Sequence, residues 1–441
     1  MLPGKSMVLL RNGVSDLFDL VTCLCLYSVE AIKIRKRIAD PLDLLRLAQR
    51  VTTDQSKPIL DLLPFDASER EALTLVWPDD TAKRLTQIAL HREALHIDIR
   101  RQIHTYNSRR TDLWTQQISG ATFELLGCDP GDLPETTKVH IISSNTHSVT
   151  NCLNPFFADR SADIRAWAES TGHWSAINKW REPTDLLYAA GRDYVTSSAG
   201  IQAEFRHDSE LSAVRLGETV STGIEVQIID VSRLAGRDID PLLPRLSETG
   251  DVLVNIDYAF GEQAGEIVRN LIMLFGRRLA SINVLGKAGA LTGRRGDILA
   301  PTAFIEQSSD RFYPFDARVN SDMERLTRLA GDRGVHVGPL LTVSGTLLQN
   351  STMLHFYRHI WDCIGLEMEG AYYYRQILES QQLDVLDERI PLRFLYYVSD
   401  LPLDRNEDLS ANLGPEDGLP PLYAITRQVL SEIFNEARQP A

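Results

Sequence analysis

Two short runs hold residues that can do chemistry together. Gly365-Leu366-Glu367-Met368-Glu369-Gly370-Ala371 sets a carboxylate pair at the start of a helix, because Ala371 to Ser380 continues with good helix formers and no Gly or Pro. Tyr396-Tyr397-Val398-Ser399-Asp400 closes a β-branched and aromatic run, Leu395 to Val398, with two polar residues. A buried strand with that ending delivers side chains to a site at its carboxyl end. Two rigid elements can thus bring Glu369 and Asp400 to one pocket, where separated carboxyls share the work of breaking a glycosidic bond. Each run also has a plainer reading. First-turn carboxylates suit a helix dipole, and Ser399-Asp400 can cap a turn.

A third segment sets these runs in an order. Ile282-Asn283-Val284-Leu285 reads as a strand, Gly286-Lys287-Ala288-Gly289 as a turn of small residues, and Arg295-Gly296-Asp297-Ile298 follows. The three motifs, in this order, resemble the nucleoside phosphorylase and nucleosidase superfamily over about Asp251 to Glu432. The resemblance implies an α/β fold with a doubly wound mixed sheet and flanking helices over 133–441, preceded by a mostly helical region, 1–132. It assigns Asp400 as the acid that protonates the departing base. Glu369 is assigned to the ribose hydroxyls, Met368 to the sugar face, and Ser399 to orienting Asp400. Glu367 and Gly289 fall in the same ribose and base group. Thr346 and Leu347, after the run Leu340 to Val343, would floor the base, although a plain core strand explains those apolar residues equally well. An acid that works near neutrality needs apolar surroundings, and Leu395 to Val398 supply them.

The phosphate or water contacts are less clearly marked. Val139-His140-Ile141-Ile142 reads as the first strand of the sheet and breaks into Ser143-Ser144-Asn145-Thr146-His147-Ser148, a loop at its ligand-binding end. This loop has neither the glutamate-rich form of the hydrolytic members nor the Gly-Asp-Pro-x-Arg form of the phosphorylases. Asn145 and His147 are its candidates, with a cap or turn role open for both. Gly261, in the turn before the helix Glu266 to Phe275, can offer a backbone N–H to an anion. Gly286 lets a ligand approach the backbone, and Lys287 can neutralise a phosphate or stand as an exposed loop lysine.

Composition narrows the class. The chain has 441 residues, 43% hydrophobic and 24% charged, which is ample for a packed core and long for one domain. A net charge of −14 argues against non-specific nucleic-acid binding. Five scattered cysteines without a Cys-x-x-Cys pair suggest neither zinc nor a disulfide framework, and Cys23 and Cys25 read as helix packing. Val14 to Val29 is interrupted by Asp16 and Asp19 and is too short to span a membrane. The expectation is a cytoplasmic protein with a small-molecule partner, no metal, no cofactor and no membrane association. The resemblance adds a homo-oligomer.

Other elements are expected as follows. Helices are read over Pro41 to Ala48, Asp80 to Gln102, Thr111 to Leu126 and Pro420 to Phe434. Trp167, Trp174 and Trp180 give 155–200 bulk to pack over the sheet or to form a lid. Glu218 to Asp230 reads as two strands joined at Thr222-Gly223, and Asp251 to Ile256 as one more. Val398-Ser399-Asp400-Leu401-Pro402-Leu403 is most similar to the Ser-Asp-x-Pro-Leu run of AMP nucleosidases, which also carry an extra amino-terminal domain. The resemblance therefore favours hydrolysis of a purine nucleoside or nucleotide. Phosphorolysis, with inorganic phosphate as second substrate, and a catalytically silent nucleotide-binding regulator remain as alternatives.

Overall fold

The computed structural model describes residues 17–38, 63–78, 80–90, 105–172, 183–217, 222–246, 250–344, 350–404 and 413–436. The chain forms two compact units, Leu17–Ile103 and the remainder. The smaller unit contains α1 (Leu17–Arg37), α2 (Ala67–Val76) and α3 (Thr81–Leu90). Ile38, Leu63, Phe65, Leu85 and Ala89 form its own small core. Asp66 starts α2 with a capping box: its side chain accepts from Glu69 N at 2.8 Å, and Glu69 Oε2 accepts from Asp66 N at 2.9 Å. Cys23 and Cys25 lie exposed on α1, so the packing role expected for them is not theirs. The helix read over Pro41 to Ala48 lies outside the described residues. Among the described residues, no helix is long and apolar enough to cross a membrane.

The larger unit is mixed α/β. It opens with α4 (Thr105–Leu126), then β1 (Lys138–Ser143) and five helices: α5 (His147–Leu153), α6 (Pro155–Asp159), α7 (Ser161–Thr171), α8 (Pro183–Thr196) and α9 (Ala199–Glu210). Next come β2 (Ala213–Leu216), β3 (Val226–Asp230), β4 (Asp251–Ile256), α10 (Gly261–Phe275), β5 (Leu279–Ala290), β6 (Ile298–Glu306) and β7 (Arg311–Pro314). The chain continues through α11 (Ala317–Asn320), α12 (Met323–Ala330), β8 (Val335–Thr342) and α13 (Ser351–His359). It finishes with β9 (Gly365–Glu367), α14 (Gly370–Gln382), β10 (Leu392–Asp400) and α15 (Pro415–Glu436). The first strand of the β2–β3 hairpin thus lies before Glu218, outside the expected span of Glu218 to Asp230. Trp174 and Trp180 lie outside the described residues, and Trp167 packs half-buried on α7.

All ten strands join one sheet. β1 lies between β4 and β5, parallel to both. β5 also pairs parallel with β10 and antiparallel with β9, while β10 joins β6, β6 joins β8 and β8 joins β9. Those five pairings close a ring of five strands, from whose β5 side β1, β4, β3 and β2 extend. Closure leaves no free edge within the ring and gathers the ends of β5, β9 and β10, while β2 and β7 remain edge strands.

Several local choices explain these elements. α10 buries Ala264, Ile267, Val268, Leu271, Ile272 and Phe275, a helical stripe, and packs against α14 and α4. β5 runs on through Gly286-Lys287-Ala288-Gly289, where small residues alone suggest a turn. Its backbone stays extended there because β10 pairs with it on one side, and β9 joins on the other at Gly289 and Ala290. α15 begins before Pro420 and Pro421 and contains both. Pro420 has no N–H for the carbonyl of Glu416, and the Arg333 guanidinium donates to that carbonyl instead.

Candidate active site

Glu369 sits at the start of α14, in the N-cap position, and is 4% exposed. Its Oε2 accepts from Met368 N at 3.1 Å. Its Oε1 lies against the backbone of Gly286: a Cβ placed on that glycine would be 2.7 Å from Oε1 and would run into the Tyr396 ring. Glycine is therefore required where the carboxyl meets β5. One helical turn on, Tyr373 aims its hydroxyl at Ser143 Oγ, 3.1 Å away at the end of β1. The carboxyl is thus enclosed by residues from β5, β10 and α14.

Glu367 has a different environment, although it stands two residues away. It closes β9 and is 2% exposed. One oxygen accepts from the Thr342 hydroxyl; the other accepts from Glu369 N at 2.7 Å and Gly370 N at 2.5 Å. Both oxygens accept from protein donors.

Burial pushes Glu369 well above the ordinary carboxylate range, and the charge of Glu367 adds to it. Burial raises Glu367 too, to about 7, against the pull of the Thr342 hydroxyl and the two amides. Tyr258, Tyr373 and Tyr396 are all raised, first by burial and with neighbouring charge adding to it, against the pull of the Ser143 hydroxyl on Tyr373, so they remain neutral. The folded state therefore holds protons on the glutamate pair that the unfolded chain gives up near ~4.3. The stability this contributes is full below that value and is lost as pH rises through the folded values. Glu369→Gln keeps the shape and removes one titration. Its melting temperature should fall less steeply between acid and alkaline pH than that of the parent, and should exceed the parent's at alkaline pH.

Asp400 ends β10 and is half-buried. Ser399 Oγ lies 2.6 Å from its Oδ1 and donates to it. The β10–β5 ladder slips here: Val398 faces Ala288 and Asp400 faces Gly289, leaving Ser399 as the extra residue of a bulge. Asp400 Oδ2 would be 2.9 Å from a Cβ on Gly289, as would Pro402 Cγ. Gly289→Ala should therefore displace Asp400 and cost about 1–3 kcal/mol of stability, read by urea unfolding. Neither Asp400 nor Glu369 is tied up in an ion pair with another described residue. They meet β5 at Gly286 and Gly289, roughly 10 Å apart along the strand by its rise and, at this odd spacing, on alternate faces of it.

The other expected site residues distribute unevenly. Met368 is half-buried beside Leu366 and Leu291, and its carbonyl accepts from Gly261 N at 2.8 Å. That bond docks the β4–α10 turn on the Glu-Met-Glu segment and leaves the Gly261 amide no proton for an anion. Asn145 Oδ1 accepts from Ser148 N at 3.0 Å, the cap role left open for it. His147 is exposed at the start of α5, and Lys287 is exposed on β5. Thr346 and Leu347 lie outside the described residues. Thr146 between Asn145 and His147 has φ 56° and ψ −43°, a strained γ-turn closed by His147 N to Asn145 O at 2.6 Å. Ser144 and Asn255 pin it. Ser144 Oγ donates to Asn255 Oδ1 at 2.8 Å, and Asn255 Nδ2 donates to Thr146 O at 3.1 Å.

Sequence reasoning passed over Thr342, Tyr258, Tyr373 and Tyr396. The runs Tyr372-Tyr373-Tyr374 and Tyr396-Tyr397 were visible signals, since a tyrosine facing a core needs a partner for its hydroxyl. Asp297, in contrast, stabilises a turn. It accepts from His336 Nε2 and Gly334 N, both at 2.8 Å, and from Arg294 N at 3.1 Å. Burial opposes its charge, but these donors hold its carboxyl below the usual range. Among the described residues, no cluster of His, Cys, Asp or Glu is arranged to hold a metal ion.

The model for a family described as "Family of unknown function (DUF6909)" matches residues 1–435. No curated protein matches the chain. Solved structures do. A 5′-methylthioadenosine/S-adenosylhomocysteine nucleosidase from Campylobacter jejuni is 13% identical over 68% of this chain and 99% of its own, with a TM-score of 0.38. A futalosine hydrolase mutant from Helicobacter pylori is 12% identical over 68% and 97%, at 0.36. An S-adenosylhomocysteine nucleosidase from Streptococcus pyogenes is 11% identical over 70% and 99%, also at 0.36. These enzymes belong to the superfamily that the three motifs resemble. With likeness at that level, what the site does has to be read from the chain's own side chains.

Proposed function

The chain belongs to the DUF6909 family, and we propose that it hydrolyses the N-glycosidic bond of a purine nucleoside or nucleotide. The observation that supports this reading is that Glu369, at the start of α14, and Asp400, at the end of β10, both meet the carboxyl-terminal part of β5, at Gly286 and Gly289. Glycosidic cleavage builds positive charge on the sugar ring and negative charge on the base. A site for it needs a group at the sugar hydroxyls and an acid at the base. Glu369, enclosed and uncharged, grips the ribose, and Asp400, steadied by Ser399, faces the base. As the C1′–N bond breaks, its electron pair leaves on the base, which takes a proton from Asp400. Water adds to C1′, and the proton it sheds returns Asp400 to its acid form. Met368 packs on the sugar. The doubly wound reading of the sheet and the helical character of residues 1–132 belong to the same proposal.

Water, rather than phosphate, is the acceptor in this reading. The engaged Gly261 amide and the missing Gly-Asp-Pro-x-Arg loop support that choice. The test is release of free base from AMP, adenosine, inosine and uridine, with and without inorganic phosphate. Free purine base without phosphate is the expected result. Turnover only with phosphate would replace hydrolysis by phosphorolysis, and tight nucleotide binding without turnover would leave a regulatory protein.

A further inference from the structure

We propose that Glu367 and Thr342 are positioning residues for Glu369, which together take up the first amides of α14 and so fix the Glu369 carboxyl against Gly286. For its kinetic readout the inference rests on the nucleosidase reading above. Its geometry does not.

β8 and β9 run parallel with Thr342 directly opposite Glu367. A helix leaves its first amides without partners inside itself. Here Glu369 N and Gly370 N donate to Glu367 Oε2, and Ala371 N donates to Thr342 Oγ1 at 3.0 Å. The Thr342 hydroxyl then donates to Glu367 Oε1, which closes the circuit. Three consecutive amides are thus held by two side chains from neighbouring strands, both 2% exposed. Gly370 leaves room for the circuit: a Cβ there would strike the Phe304 ring and lie 3.0 Å from Glu367 Oε1.

The arrangement also divides labour between two buried carboxyls. Glu367 faces a helix amino terminus and three donors, which favour its ionised form. Glu369 has a single amide, that of Met368, and the charge of Glu367 close by. Glu367 is therefore the member that ionises first, and Glu369 keeps its proton. A neutral carboxyl carries both an O–H and a C=O, so it can donate to one sugar hydroxyl and accept from the next. The other titratable groups around it are Tyr396 from β10, Tyr373 from α14 and Tyr258 from the turn after β4. Burial holds all three tyrosines neutral, and Asp257 is the further charge beside Tyr258 and Tyr373.

The experiment compares Glu367→Gln, Thr342→Val and Thr342→Ser with the parent, using kcat and KM for base release from acid to alkaline pH. Glu367→Gln removes the repelling charge, so the alkaline limb that reports loss of the Glu369 proton should move to lower pH. Misplacement of the carboxyl should lower kcat by up to about 10²-fold. Thr342→Val should lower kcat in the same way, and Thr342→Ser, which keeps the hydroxyl, should restore most of it. A folded Glu367→Gln with unchanged kcat and an unmoved alkaline limb would overturn the proposal, as would equal kcat for the Val and Ser variants. If the parent releases no base from any nucleoside, the nucleosidase reading fails and the positioning claim is decided by carboxyl carbon NMR. There the Glu369 resonance should titrate at lower pH in Glu367→Gln than in the parent, and an unmoved resonance counts against the proposal. If Glu367→Gln does not fold, the same resonance is compared in Thr342→Val and Thr342→Ser. The serine variant should then match the parent and the valine variant should depart from it, and identical titration in the two overturns the proposal.

Discussion

Asp400→Asn should cut release of free purine by about 10²- to 10⁴-fold, the range for losing one general acid. Asparagine keeps the shape and keeps Oδ1 as acceptor for the Ser399 hydroxyl, so nucleoside binding should change little. The loss should therefore fall on kcat with KM nearly constant, the signature of an interaction made in the transition state. A riboside whose leaving group needs no proton, such as a nitrophenyl riboside, distinguishes the roles. The variant should hydrolyse it almost as fast as the parent if Asp400 serves only the base. An equal drop on both substrates would move Asp400 from acid to structural support. Glu369 gives the opposite pattern, because a change at the ribose slows both substrates together.

Arg427→Ala should destabilise the larger unit by about 3–5 kcal/mol, the cost of breaking a buried charge pair from one side. Arg427 is 2% exposed on α15. Its Nη1 donates to Asp185 Oδ1 at 2.7 Å and its Nε to Asp240 Oδ2 at 2.8 Å. Its guanidinium lies over the rings of Tyr188 and Tyr423, at 5.8 and 5.6 Å from their centroids. Asp240 also accepts from the Tyr188 hydroxyl at 2.7 Å and Leu242 N at 2.8 Å. Removing the arginine takes its charge away from two buried carboxylates. A triple change, Arg427→Met with Asp185→Asn and Asp240→Asn, removes charge from all partners and should recover a large part of the loss. Urea unfolding of the parent, the single variant and the triple variant checks both statements. A single-variant loss below about 1 kcal/mol would mean that water reaches the cluster and screens it.

Much of the local structure was legible in the residues. β4 matches the strand read over Asp251 to Ile256, and α14 follows the Glu-Met-Glu run as its helix formers require. β10 is longer than Leu395 to Val398 and takes Ser399 and Asp400 into the strand itself, because the pairing partner at Gly289 comes from β5. That partner could not be read from the run alone. The same holds for Gly286 to Gly289, where small residues read as a turn until strands on both sides supply hydrogen bonds. Glu367 and Glu369 look alike along the chain and differ only through Thr342, which stands 25 residues before Glu367.

The sequence by itself determined which carboxylates are available, that one precedes a helix and the other ends an apolar strand, and in which order they occur. Those features depend on neighbours in the chain, through periodicity, propensity and capping. Only the tertiary structure decided that the five strands close into a ring, that one glutamate faces helix amides while its neighbour faces β5, and that a bulge sets Asp400 against Gly289. Each of those outcomes depends on hydrogen-bond partners and burial supplied by segments far apart in the chain, and the same local pattern fits more than one choice of partner.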